Sequence, residues 1–309
     1  MINKFINQVI VICGPTASGK SNLAVKLAKN IDAEIISADS MQIYRKLDIG
    51  TAKVSKEIQA EISHHMIDII EPDQPFSVAE YSKLATSIIN KLLANKKNVI
   101  LCGGTGQYIN ALLDGLIFID LPVDKELRKS LNQTITKDNS AAWYNKLNNL
   151  DPKYGQRISG NDLRRIRRFF EVYQLSGLTQ SEIYIKSRAK GPDFKFINFY
   201  LKPEREALYN KINLRTEMMF EQGLSREVES LLQSYPEIRD SQSFQAIGYK
   251  ETVAFLDGKI DLSKAIQNIA QVTRNYAKRQ MTWFNARKDL QVIQNFGNQE
   301  TLENILAHF

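Results

Sequence analysis

The stretch Gly14-Pro15-Thr16-Ala17-Ser18-Gly19-Lys20-Ser21 reads G-x-x-x-x-G-K-S, the spacing of a phosphate-cradling loop. The apolar run Gln8-Val9-Ile10-Val11-Ile12-Cys13 precedes it and has the length of a buried strand. From Ser21 to Asn30, the apolar residues Leu23, Ala24, Leu27 and Ala28 share one face of a helix. Strand, loop and helix are the context the motif needs. Glycines let backbone N–H groups turn toward an anion, and the helix N-terminus adds partial positive charge. Lys20 supplies a full charge, and the Ser21 hydroxyl is placed for Mg²⁺. The loop implies that a di- or triphosphate binds. It does not say what happens to it.

The rest of the chain alternates strands and helices. Ala33–Ser37 reads as a second strand, with Ala38-Asp39-Ser40-Met41-Gln42 at its carboxyl end. His64–Ile70 reads as a further strand. Ser77 to Leu93 has helical spacing with an N-cap at Ser77. Asn98–Cys102 is a short buried strand running into the turn Gly103-Gly104-Thr105-Gly106, which opens a helix through Leu113. Such alternation implies an α/β fold, a mostly parallel P-loop NTPase-like sheet flanked by helices. Near Leu121-Pro122 the pattern changes to helical, Arg-rich segments without a convincing strand until Phe196–Leu201. The expected organisation is a core of residues 1–121 and 196–309 interrupted by a helical insertion, 122–195. Helices are expected over Glu204–Gln222, Ser225–Leu232 and Leu262–Phe284, with a last strand at Leu290–Ile293.

The charge distribution singles out the insertion. The 309 residues carry a net charge of +7, and 122–195 hold 15 Lys+Arg against 8 Asp+Glu. The rest of the chain is balanced. A basic module on a neutral body is the footprint of a nucleic-acid partner, against the plainer reading of a solvated helical surface. Two cysteines, Cys13 and Cys102, end apolar runs and read as buried thiols in a reducing compartment. With three scattered histidines they argue against a structural zinc site. No apolar run approaches bilayer length, and Met1–Asn7 holds no signal-peptide core. The expected address is the cytoplasm, with no membrane partner.

Several residues carry candidate chemistry. Asp39, after a strand end facing the loop, reads as a general base, a Mg²⁺ ligand or a helix cap. Thr105 sits in a glycine-rich turn at another strand end, placed to hydrogen-bond a reacting group or to cap a helix. In Arg164-Arg165-Ile166-Arg167-Arg168, four arginines in five positions repel unless anions lie nearby, a need that nucleic-acid phosphates meet. Arg274, Lys278, Trp283, Arg287 and Lys288 form a second basic region, with core packing the expected role of Trp283 and Phe284. His64 and His65 point to opposite faces of a strand and are expected to be structural. No strand ends in the Asp of nucleotide-hydrolysing motors, and no Asn-Lys-x-Asp segment reads guanine. A group transfer in which diphosphate departs fits these absences. The rivals are a small-metabolite P-loop kinase and a nucleotide-gated RNA-binding protein without catalysis.

Several blocks together resemble the tRNA dimethylallyltransferases, the tRNA isopentenyltransferase family, in its bacterial form. They are Gly14–Ser21, Asp39–Arg45, Asp48–Lys53, His64–Asp68, Gly103–Tyr108, Asn161–Gly177, Gly223–Val228, Ala246–Lys250 and Thr273–Phe284. Departures are small: Ser21 for the commoner Thr, Gln107 for an apolar residue, Phe76 for Tyr and Val54 for Pro. The resemblance implies transfer of a dimethylallyl group from dimethylallyl diphosphate to the exocyclic amine of the adenosine beside the anticodon. It implies Asp39 as general base, Thr105 near the transferred carbon, Arg215 holding diphosphate, and Mg²⁺ at Ser21. It also implies that Asp39, Ser40, Met41, Gln42, Arg128 and Arg164–Arg168 bind the tRNA anticodon stem-loop. A monomer is expected.

Overall fold

A computed structural model of the chain describes residues 8–122, 124–294 and 299–307. Met1–Asn7, read above as holding no signal-peptide core, lies outside them. The chain forms two compact units, Met1–Leu113 with Asp193–Phe309, and Asp114–Pro192.

The first unit is built on one sheet of β1 (Gln8–Cys13), β2 (Ala33–Ala38), β3 (His64–His65), β4 (Asn98–Gly103), β5 (Lys195–Leu201) and β6 (Gln291–Ile293). The order is β3-β2-β4-β1-β5-β6, with every neighbouring pair parallel. β1, β2 and β4 are buried almost along their whole length, as strands covered on both faces must be. Alternate residues feed two cores. Ile10, Ile12, Ile35 and Ile100 pack with Leu23, Leu27 and Ile31 of α1 (Lys20–Ile31) on one face. Val9, Val11, Ile36, Val99 and Leu101 face the opposite core with Tyr81, Ile89, Tyr108 and Leu224. From β1 the chain passes through α1 to β2, leaving room for β4 between them, and β5 later adds on the other side of β1. The loops after β1, β2 and β4 therefore meet at one edge, where open α/β sheets bind ligands.

The short α2 (Lys56–Glu61) and α3 (Val78–Ala94) follow β2, the latter closed by a full capping box at Ser77. α4 (Gly106–Leu113) follows the second glycine turn. The strand expected over His64–Ile70 ends at His65. Met66 and Asp68 have φ of 62° and 55°, which no strand accommodates.

The regular structure of the second unit is all helical among its described residues: α5 (Lys125–Thr134), α6 (Ser140–Leu150), α7 (Pro152–Gly155), α8 (Leu163–Ser176) and α9 (Gln180–Ser187). They surround Leu131, Ile135, Leu147, Ile166, Phe169 and Phe170. Returning to the first unit, the chain adds α10 (Arg205–Glu221), α11 (Leu224–Ser234), α12 (Tyr249–Leu256), α13 (Leu262–Asn285) and α14 (Gln299–Leu306). Among the described residues no helix is long and apolar enough to cross a membrane. Cys13 and Cys102 are free and buried, and burial pushes their thiols up to about 12 and about 11.

Candidate active site

The loop after β1 is shaped for an anion. Ala17 and Gly19 have φ of 60° and 89°, left-handed turns that rotate successive N–H groups to one side. Gly19 is also the N-cap of α1 and brings no side-chain cap, so the first-turn N–H groups remain available to a ligand. Lys20 Nζ donates to the Pro15 carbonyl at 2.6 Å. Desolvation pushes its ammonium below its ordinary range. Ser18 Oγ is buried without a hydrogen-bond partner among the described residues. Ser21 is exposed at the first turn of α1.

The residues after β2 and β4 are tied to each other. Asp39 Oδ1 accepts from the Met41 N–H at 2.9 Å and, longer, from the Gln42 N–H at 3.4 Å. Thr105 Oγ1 accepts from the Ser40 N–H at 3.0 Å, and the Thr105 N–H donates to the Ala38 carbonyl at 3.0 Å. Gln42 is held from both sides, accepting from Ser37 Oγ at 3.1 Å and donating to the Thr51 carbonyl at 3.2 Å. Asp39 and Thr105 are thus presented side by side on neighbouring strand ends.

Thr16, Ala17, Asp39, Ser40 and Met41 of these loops line a cavity of about 280 Å³. Its lining also includes the polar Arg215, Thr273 and Tyr276 and the apolar Ile212, Met219, Ala246, Ile247 and Ile269, with Ile212, Arg215 and Met219 on one face of α10. Burial lowers the pKa of the Arg215 guanidinium, and the Asp39 charge opposes that shift. The Tyr276 phenol is pushed up to about 12, first by burial and then by Asp39, while its contacts with Thr105 and Gln280 pull it back.

Asp39, Arg215 and the loop residues Thr16 and Ala17 line this one cavity, and Thr105 bonds Ser40 beside it. Tyr276 and Gln280, which contact Thr105 and the loop, were not singled out from the sequence. Their signal was the spacing of Thr273, Tyr276 and Gln280 along one face of α13. Phe284 is core, as expected, whereas Trp283 is 41% exposed and lies over Gly106. Arg274 and Arg287 in the second basic region bond Asn213 and Asp289 respectively. His65 pairs with Glu34 and His64 with the Ile62 carbonyl, both structural. Phe76 and Tyr108 are core residues.

In the helical unit the arginines of α8 differ in their partners. Arg164, Arg165 and Arg168 are exposed; Arg165 lies 3.4 Å from Asp162, the N-cap of the same helix. Arg167 donates to the carbonyls of Asn132 and Ile135 at the end of α5. Arg168 and Arg128 both bond the buried Glu171 carboxylate, Arg168 at 2.8 Å. Burial works against that carboxylate, yet the two arginines hold it below the usual range. Ile166 is fully buried, and its side chain belongs to the core of the unit.

The fold and this site define a phosphate-loop α/β protein whose loop borders a cavity lined by both charged and apolar side chains. The profile of the IPP transferase family matches residues 42–288. The chain belongs to that family. It is 44% identical over 284 residues to the tRNA dimethylallyltransferase of Halothermothrix orenii, covering 92% of this chain and 86% of the relative. The enzyme of that name from Thermoanaerobacter sp. (strain X514) is 43% identical over 307 residues, 97% of each chain. Among solved structures, the tRNA isopentenylpyrophosphate transferase of Bacillus halodurans aligns with a TM-score of 0.72 at 36% identity, over 98% of this chain and 95% of that one. A eukaryotic dimethylallyltransferase acting on tRNA aligns at 0.81 and 26% identity, over 97% and 77%.

Proposed function

We propose that the protein transfers a dimethylallyl group from dimethylallyl diphosphate to N6 of the adenosine 3′-adjacent to the anticodon of tRNA, releasing diphosphate. The observation that carries this reading is a cavity that combines charge with aliphatic surface. Asp39, Arg215 and the loop residues Thr16 and Ala17 line it together with Ile212, Met219, Ile247 and Ile269. A prenyl diphosphate presents both chemistries. A small-metabolite kinase needs no aliphatic surface, and a binding protein needs no carboxylate beside it.

The residues then divide the chemistry. The adenosine amine attacks the donor carbon bearing diphosphate as the C–O bond breaks, and the electron pair departs with the diphosphate. The amine proton passes to Asp39, whose Oδ1 is held by backbone N–H groups while Oδ2 takes the proton. Lys20, Arg215 and the loop N–H groups receive the charge that grows on the leaving group. Thr105 stands beside the reacting carbon, oriented by the Ser40 N–H.

Mg²⁺ supplies further charge neutralisation when bound. Among the described residues no cluster of three His, Cys, Asp or Glu could cage a metal. The exposed Ser21 hydroxyl suits a hard cation that draws its other ligands from phosphate oxygens and water. Arg164 and Arg165, with Arg128, Arg167 and Arg168 behind them, grip the anticodon stem-loop, and Ser40, Met41 and Gln42 meet the extruded base. Incubation with labelled dimethylallyl diphosphate and unmodified tRNA tests the reading, and label in RNA is expected. ATP-dependent phosphate transfer would replace it with the kinase, and tRNA binding without either product with the non-catalytic reader.

A further inference from the structure

Gln280 joins two segments that the sequence keeps far apart. Its Oε1 accepts from the Thr16 N–H of the phosphate loop at 2.8 Å. Its Nε2 donates to the carbonyl of Gly104, beside Thr105, at 2.8 Å. The side chain is 6% exposed, so water does not compete for either bond. One turn earlier on α13, Tyr276 lines the cavity and contacts both Thr105 and Gln280. The junction is closely fitted: a Cβ at Gly104 would stand 2.3 Å from Gln280 Nε2 and 3.1 Å from the Gly14 carbonyl. The bridge needs a side chain that accepts and donates at once. Glutamate would set a carboxylate oxygen against the Gly104 carbonyl, and methionine would leave both backbone groups without a partner.

We propose that Gln280 is a positioning residue that fixes the spacing between the loop holding the leaving diphosphate and the turn presenting Thr105. By engaging the Thr16 N–H, it also withdraws one donor from the anion cradle and fixes that loop in one conformation. This inference rests on the transfer reading above. In-line displacement needs the attacking nitrogen, the carbon and the departing oxygen on one line. In that reading the phosphate loop holds the departing end of the line and the Thr105 turn stands beside its carbon. A displacement of about 1 Å between them would cost roughly 100-fold in rate.

The test compares wild type with Gln280→Glu, Gln280→Met and Gly104→Ala, the last displacing the amide from its other side. Four quantities are measured: kcat and KM for dimethylallyl diphosphate, affinity for inorganic diphosphate, Kd for unmodified tRNA, and the thermal midpoint. The expected result is a loss of about 10- to 100-fold in kcat with tRNA Kd within about twofold of wild type. Diphosphate affinity should fall about tenfold in Gln280→Glu, which adds a negative charge beside the loop. Wild-type kcat in any folded variant would overturn the inference, as would a change confined to tRNA affinity. Failure of all three to fold would overturn it too, by making Gln280 a brace of the fold. If wild type itself transfers no label, the transfer reading fails instead. The diphosphate titration then still decides the bridge, and unchanged affinity in Gln280→Met would refute it.

Discussion

Asp39 shows how much a single carboxylate can be asked to do. Two backbone N–H groups hold Oδ1 and fix its direction, while the Arg215 charge shares its cavity. Asn in its place would keep an acceptor for the Met41 N–H but could take no proton. Asp39→Asn should therefore lower kcat by about 10²- to 10⁴-fold, the range of general-base catalysis, while tRNA Kd stays within about twofold. Single-turnover kinetics beside a tRNA binding titration checks this. Equal turnover would remove the base assignment. Asp39 was legible in the sequence because it sits directly after a strand end, a purely local relation. Gln280 was not, because its partner Thr16 is 264 residues away and only the packed sheet brings α13 against the loop.

At the scale of elements, the cavity wall is held by a carboxylate clamp. Glu227 on α11 accepts from the N–H groups of Asp48 and Ile49 at 3.0 and 2.7 Å. Its other oxygen accepts from the Gly50 N–H at 3.3 Å and the Tyr249 hydroxyl at 2.6 Å. Gly50 lines the cavity, and a Cβ there would stand 2.4 Å from the Tyr249 ring. Glu227→Gln turns an amide N–H₂ toward these donors. It should destabilise the fold by about 1–3 kcal/mol in urea unfolding and raise KM for the prenyl donor. An unchanged midpoint would show the clamp to be idle. Helix positions were readable because periodicity and caps are local, as the Ser77 capping box illustrates. The shortened strand at His64–His65 was not, because positive φ at Met66 and Asp68 depends on distant partners. One of these is Lys53, whose ammonium meets Asp68 at 2.5 Å. The helical unit has its own clamp in Glu171, held below the usual carboxylate range despite burial. A depressed native pKa stabilises above the unfolded value and stops doing so as pH falls through the native one. The unit should therefore lose stability as pH drops below about 4.3, and Glu171→Gln should flatten that loss. Trp143 packs edge-on to Phe170 within the unit. In a Trp283→Phe background it is the sole tryptophan and reports the transition by fluorescence. Parallel acid profiles for the two proteins would refute the pairing.

Across the whole molecule, charge is distributed by unit. Residues 114–192 hold 14 Lys+Arg against 9 Asp+Glu, so five of the seven surplus charges lie on the helical unit. Composition made that footprint legible, but not which arginines are available. Arg167 is spent on the end of α5, and Arg128 and Arg168 on Glu171. Arg128 and Arg168 are exposed too, yet their guanidinium groups are held by a buried carboxylate, whereas Arg164 and Arg165 are not, and an exposed pair such as Arg165–Asp162 is worth little. Phosphate contacts should thus rest mainly on these two. Each phosphate neutralised contributes about 0.7–0.9 to the slope of log affinity against log salt. Arg164→Ala with Arg165→Ala should therefore lower that slope by about 1 to 2 while leaving the thermal midpoint unchanged. Arg167→Ala should do the reverse, lowering the midpoint because two carbonyls at the end of α5 lose their donor, with a smaller change in slope. Measuring tRNA affinity from low to moderate salt for both variants separates the roles. Equal slopes in the double variant and wild type would mean that the basic unit grips RNA through other residues.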